Sequence, residues 1–162
     1  MKNELLVSDA NILIDFYLAD SSLIKILCDE FHLKIPKVIM DEIEQFTYAE
    51  ALAFGIEIID SQNTVDSGAI LEPKKLSFQD KACANLSKQL KASCLTNDKI
   101  LKNYLDKQGI KTYWGLEMLL LLTSKKSLSK EKTTEIANKI FLTNYWYSLE
   151  IQNSFWEKLQ LL

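Results

Sequence analysis

Leu5-Leu6-Val7 is an apolar run too short for a helix. It closes on Ser8-Asp9, and a second apolar set, with Ile12 and Leu13, begins at helical spacing straight afterwards. The pattern predicts a buried strand feeding a helix, with Asp9 at the strand's carboxyl end. Over Ser21 to Phe31, Leu23, Ile26, Leu27 and Phe31 share one helical face, with Ser21 or Ser22 as the cap. Leu33 to Ile35 reads as a short strand, and Pro36 suits the first turn of a helix running to Phe46. On that helix Glu42 shares the inward side of Val38, Ile39 and Phe46, whereas Asp41 has Lys37 one turn back and faces water. Gly55 to Ile59 is a strand, and Asp60 to Lys75, with Asp66, Gly68 and Pro73, is a loop rich in turn formers.

The second half repeats the alternation. Ser77 to Lys91 is helical, with Phe78, Ala82, Leu86 and Leu90 on one face, and Ser77 to Asp80 has the spacing of a capping box. Ser93 to Thr96 is a strand that leads through Asn97-Asp98 into a helix ending near Lys107. Gly109 then stops the helix, and Ile110 to Tyr113 is a further strand. Gly115 opens an apolar helix over Leu116 to Leu122. From Ser129 onward the chain is helical, with Ile136, Ile140 and Phe141 in one segment and Ile151, Phe155, Trp156 and Leu159 in another, joined by Tyr145-Trp146-Tyr147. Strands alternating with helices imply an α/β fold: a three-layer α/β/α arrangement with a central, mainly parallel sheet, followed by a C-terminal helical extension. One domain is expected over residues 1–162, with a core over 1–123 and the extension over 124–162.

Composition narrows the classes. Apolar residues at 48% and charged residues at 25% are ordinary globular values, which excludes disorder. Cys28, Cys83 and Cys94 are odd in number and lack metal-ligand spacing, so they read as buried thiols of a reducing compartment. Neither a signal peptide nor a membrane-spanning run is visible, so the expected location is cytoplasmic, with no membrane partner. The net charge of −3 hides an asymmetry: residues 1–72 carry four lysines against fourteen acids, residues 73–162 fifteen lysines against eight acids. An acidic front and a basic back suit a protein that gathers carboxylates in one place and meets a polyanion in another. There is no arginine, so phosphate contacts fall to lysines, helix amino termini and backbone amides.

Asp9, Glu42, Asp80 and Asp98 are the candidate site. They are expected to face one crevice, from two strand ends, one helix interior and one helix start. Each has a plainer reading: Asp9 as an N-cap, Glu42 as a boundary residue, Asp80 as part of a capping box. Carboxylates gathered without a neighbouring histidine raise one another's pKa, and a divalent cation resolves the conflict. Oxygen-only ligands select Mg²⁺ or Mn²⁺ over zinc. Such ions hydrolyse phosphodiesters by making hydroxide from bound water. His32 falls at a helix end, away from this set.

The order Val7-Ser8-Asp9-Ala10-Asn11-Ile12-Leu13-Ile14-Asp15, then Ile35-Pro36-Lys37-Val38-Ile39-Met40-Asp41-Glu42-Ile43, then Asp80 with Ala82 and Ala84, then Leu95-Thr96-Asn97-Asp98-Lys99-Ile100-Leu101, resembles the PIN-domain family over about residues 4–122. The resemblance implies a metal-dependent ribonuclease whose acidic quartet is Asp9, Glu42, Asp80 and Asp98, with Asn11 and Thr96 as supporting polar positions. It also implies an RNA substrate, cleavage by metal-activated water, commonly a homodimer, and for the toxins of toxin–antitoxin pairs a cognate antitoxin. Two features depart from the pattern: the lack of arginine, and a tail longer than the minimal family core. Gly115-Leu116 and the tail are similar to a branch of the family that carries such an extension. The alternative is a PIN-like module without catalysis that acts through protein contacts. A phosphotransfer protein with Asp9 as nucleophile is a third reading, set back by Asn11 where a second aspartate belongs.

Overall fold

The strands follow one another through the middle of the molecule as parallel neighbours. In the computed structural model, which describes residues 4–60 and 75–162, β1 (Leu5–Ser8), β2 (His32–Pro36), β3 (Glu57–Ile59), β4 (Ser93–Leu95) and β5 (Thr112–Tyr113) form one sheet in the order β3-β2-β1-β4-β5. Every pairing is parallel, with Leu6 opposite Leu33 on one side and Ser93 on the other. Leu6, Val7, Leu33, Ile35, Cys94 and Leu95 are all buried, so neighbouring residues on both faces of the central strands are covered. That is the signature of a sheet with helices on each side.

The helices are α1 (Ala10–Ala19), α2 (Ser22–Glu30), α3 (Lys37–Met40), α4 (Tyr48–Phe54), α5 (Phe78–Leu90), α6 (Lys99–Lys107), α7 (Gly115–Ser124), α8 (Lys130–Thr143) and α9 (Leu149–Gln160). Helix α5 lies against β1, β2 and β4 with α3 and α6 beside it, while α1 packs on α2 and α8. The result is the expected three-layer α/β/α fold. The extension docks on this core through α8 and α9: Thr123 and Thr133 hydroxyls lie 2.6 Å apart, Lys139 Nζ donates to the Ala19 carbonyl at 3.0 Å, and Lys132 pairs with Asp20 at 2.5 Å. Lys132 and the Ser22 hydroxyl hold the Asp20 carboxyl at about 2. Among the described residues no helix is long and apolar enough to cross a membrane.

Three local expectations are corrected. The helix expected over 36–46 is a single turn, α3, and a separate α4 follows, opened by a capping box between Thr47 and Glu50. The α2 amino terminus is served by Asp20, whose carboxylate accepts from Ser22 N at 2.9 Å and Ser22 Oγ at 2.6 Å, instead of by Ser21 or Ser22. Phe78, placed by periodicity on the core face, opens α5 and is 64% exposed, because Cys83, Ala84, Leu86 and Ser87 take the inward stripe. Most of the loop expected from Asp60 to Lys75 lies outside the described residues.

Candidate active site

Chain order sets the location of the site. From β1 the chain steps through β2 to β3 on one side, then crosses back to β4 on the other side of β1. Between the carboxyl ends of β1 and β4 the connections diverge, and a crevice opens there. Asp9 follows β1 and Thr96-Asn97-Asp98 follows β4, so the sequence delivers two carboxylates to this one edge. The backbone ties both turns down: Asp9 N donates to Leu95 O at 3.2 Å and Thr96 N to Tyr113 O at 3.0 Å.

Asp9 is 8% exposed and its two oxygens are both engaged. Oδ1 accepts from Ile12 N at 3.1 Å, which caps α1, and Oδ2 accepts from the Thr96 hydroxyl at 2.6 Å. Thr96 Oγ1 in turn accepts from Asp98 N at 3.0 Å, so one fully buried hydroxyl couples the two acid-bearing turns. Burial pushes the Asp9 carboxyl up to about 6, and the nearby Asp80 charge adds to the rise. The bonds from Thr96, Ile12 and the Asn97 backbone pull the other way. Asp98 is exposed, and its Oδ1 accepts from Leu101 N at 2.8 Å, capping α6.

Asp80 closes the capping box expected of it. Its Oδ2 accepts from Ser77 N at 3.0 Å and Ser77 Oγ accepts from Asp80 N at 3.1 Å, a complete capping box. From that half-buried position its charge also reaches Asp9, Cys83 and Cys94. Glu42 differs from expectation. After α3 the backbone tightens, with Glu42 N donating to Ile39 O at 3.2 Å and Ile43 N to Met40 O at 3.0 Å, three residues back in each case. The shorter repeat turns Ile43 inward and leaves Glu42 exposed, so Glu42 is not on an apolar helix face. Its charge nevertheless acts on the buried Cys83 thiol together with Asp9 and Asp80, and burial with these charges pushes that thiol far up. Asn11 is exposed in the first turn of α1. His32 is at the amino end of β2, the opposite edge of the sheet.

No protein-family model matches this chain, and no curated protein matches it.

The donor set is oxygen only, which fits a hard divalent cation in kind. Asp80 and Asp98 each spend one oxygen on a backbone N–H and keep the second. Among the described residues, however, no three Asp, Glu, His or Cys side chains stand close enough together to hold one ion.

Two residues of the site were not singled out as such by sequence. Asn97 Oδ1 accepts from Gly115 N at 3.0 Å, and its Nδ2 donates to the Tyr147 hydroxyl at 3.0 Å. Tyr147 comes from the extension, and burial, with the charges of Asp15 and Asp9, pushes its hydroxyl up to about 12. Adjacency to Asp98 was the one available signal for Asn97. Tyr147 lies in the Tyr145-Trp146-Tyr147 run that joins two helical segments, and nothing in that local pattern points to Asn97. The lysines of the second half are divided: Lys88, Lys91 and Lys111 line a hollow of about 570 Å³ where β4 and β5 begin, away from the acids, whereas Lys99 follows Asp98 directly.

Proposed function

We propose that this chain is a PIN-like endoribonuclease dependent on Mg²⁺ or Mn²⁺, acting as the toxin of a toxin–antitoxin pair. The observation that carries the reading is the Asp98 N–H to Thr96 hydroxyl to Asp9 relay at the point where the strand order reverses, with Asp80 within electrostatic reach. Asp9, Glu42, Asp80 and Asp98 are the carboxylates that would supply oxygen ligands to the ion. The bound ion would supply hydroxide from water and offset charge on the reacting phosphate. Thr96 keeps the Asp9 carboxylate aimed and ionisable, Asn97 braces the turn that carries Asp98, and Asn11 stands exposed in the first turn of α1, two residues after Asp9. The substrate is RNA; a cognate antitoxin and a second copy of the chain are the expected protein partners.

The test is cleavage of single-stranded RNA with added Mg²⁺ or Mn²⁺ by the parent chain and by Asp9→Asn and Asp98→Asn, each shown to be folded. Loss of about a hundredfold or more in both variants is expected. Full activity in either one rejects the assignment. The second reading, a non-catalytic PIN-like module, is favoured by the exposure of Glu42 and by the outward apolar side chains Leu142, Tyr145, Trp146 and Leu149 of the extension. It predicts no rise in melting temperature with either metal, since an ion that binds the native state must stabilise it.

A further inference from the structure

A second hollow adjoins the carboxylate crevice. It encloses about 700 Å³ beside α7 and α9, with Asn97, Trp114, Leu120, Trp146, Tyr147 and Phe155 among its walls. The size suits a small organic group. Asn97 belongs to both places: its chain neighbours are Thr96 and Asp98, and its side chain ties the hollow's two sides together through Gly115 N and the Tyr147 hydroxyl. A ligand held at Asp98 that continues along its own length therefore meets this hollow next. The aromatic surface there is open. Trp146 is 63% exposed and Tyr145 92%, with ring centroids 6.4 Å apart, and the Trp146 ring lies 6.1 Å from that of Tyr147. Lys158 is in the wall, and Lys102 Nζ, paired with Asp106 at 3.1 Å, stands 5.5 Å from the Trp114 ring centroid. The wall also carries two acids, Glu150 and Glu117, the latter with Oε2 accepting from Trp114 N at the start of α7.

Flat aromatic faces laid next to a phosphate site are how unpaired bases are held, because every base has a face to stack and a duplex keeps its faces covered. We infer that this groove is a base-stacking subsite that seats unpaired nucleotides flanking the scissile phosphate, with Trp146 and Trp114 as the stacking surfaces. The inference rests on the crevice being a phosphodiester site and deepens that reading: the C-terminal extension is part of the surface that binds the substrate, through the bases beside the cut. Continuity with Asp98 through Asn97 favours a nucleotide over a protein side chain as the occupant.

The experiment measures binding of a fluorescein-labelled twelve-nucleotide single strand and of its blunt duplex by anisotropy in the presence of chelator. The proteins are the full chain, Trp146→Ala, and Ser154→Trp, which fills the groove from α9. Single-strand affinity is expected to fall about tenfold in each variant, with duplex affinity changed less than twofold. Single-strand affinity within twofold of the parent in both variants overturns the inference, as does an equal loss for duplex and single strand. So does a Trp146→Ala chain that keeps its RNA affinity but changes from dimer to monomer in sedimentation, since the surface is then a protein interface. Metal-dependent cleavage measured alongside separates the two readings. Cleavage with unchanged KM in Trp146→Ala removes the groove and leaves the nuclease, and Trp146-dependent binding without cleavage by the parent removes the nuclease and leaves the groove.

Discussion

Replacing Asp9 with asparagine keeps the shape of the side chain and removes its titration, which makes the buried carboxyl measurable through stability. In the folded chain the group is raised from 3.8 to about 6, chiefly by burial. A carboxyl whose folded pKa is raised binds its proton more tightly in the native state, so its contribution to stability is complete below the unfolded value and is lost as pH climbs through the folded value. The window is therefore pH 4 to about 6. At 1.36 kcal/mol per pH unit, the rise corresponds to roughly 3 kcal/mol of stability that the metal-free parent loses across it and Asp9→Asn does not. Asparagine also disturbs the bonds with Thr96 and Ile12, but the variant has no carboxyl there to titrate, so its cost is a constant offset, and the pH dependence of the parent's bonds is already contained in the folded value.

The assay is urea denaturation of both chains in chelator at half-unit steps from pH 4 to pH 8, followed by tryptophan fluorescence and circular dichroism. The difference between the two stability curves is expected to move by roughly 3 kcal/mol in favour of the variant as pH rises, and to level off above pH 7. Parallel curves would refute the reasoning, since Asp9 would then not be held in the buried environment described. Adding Mg²⁺ at pH 7.5 is expected to restore part of the loss in the parent alone, by about 2.7 kcal/mol at a concentration of one hundred times Kd.

Two other perturbations probe the scaffold. Thr96→Val removes the hydroxyl shared by Asp9 and Asp98 N and is expected to cost about 1.5–3 kcal/mol at pH 8, the range for a hydrogen bond to a charged group. The cost should shrink as pH falls through about 6, where the folded Asp9 takes up its proton, and an equal cost at pH 8 and pH 4 in urea denaturation would contradict the relay. Gly55 has φ +104°, and a Cβ there would lie 3.3 Å from Cys28 Cβ. Gly55→Ala is expected to lower stability by about 1–2 kcal/mol at pH 7, with an unchanged urea midpoint as the contrary outcome.

Hydrophobic spacing by itself determined the strand-and-helix alternation, because short apolar stretches such as Leu5-Leu6-Val7 are too short for a helix and fit strands covered on both faces, and helical spacing returns between them. It also placed Asp9 and Asp98 correctly at strand-to-helix junctions, since both are caps, and a cap is a local property of a few consecutive residues. The order of the strands was decided in three dimensions: only the crossing back to β4 puts Thr96 beside Asp9, eighty-seven residues away in the chain. Tertiary packing likewise ended α3 after one turn, because Ile43 and Phe46 are drawn into the core and the tightened backbone turns Glu42 to the surface. The same holds for Tyr147, which lies in the run joining two helical segments and which the docking of α8 and α9 carries to Asn97. Short-range patterns record what each segment needs buried or capped. Which distant side chains then share a crevice depends on how the layers close over one another, and no local spacing encodes that.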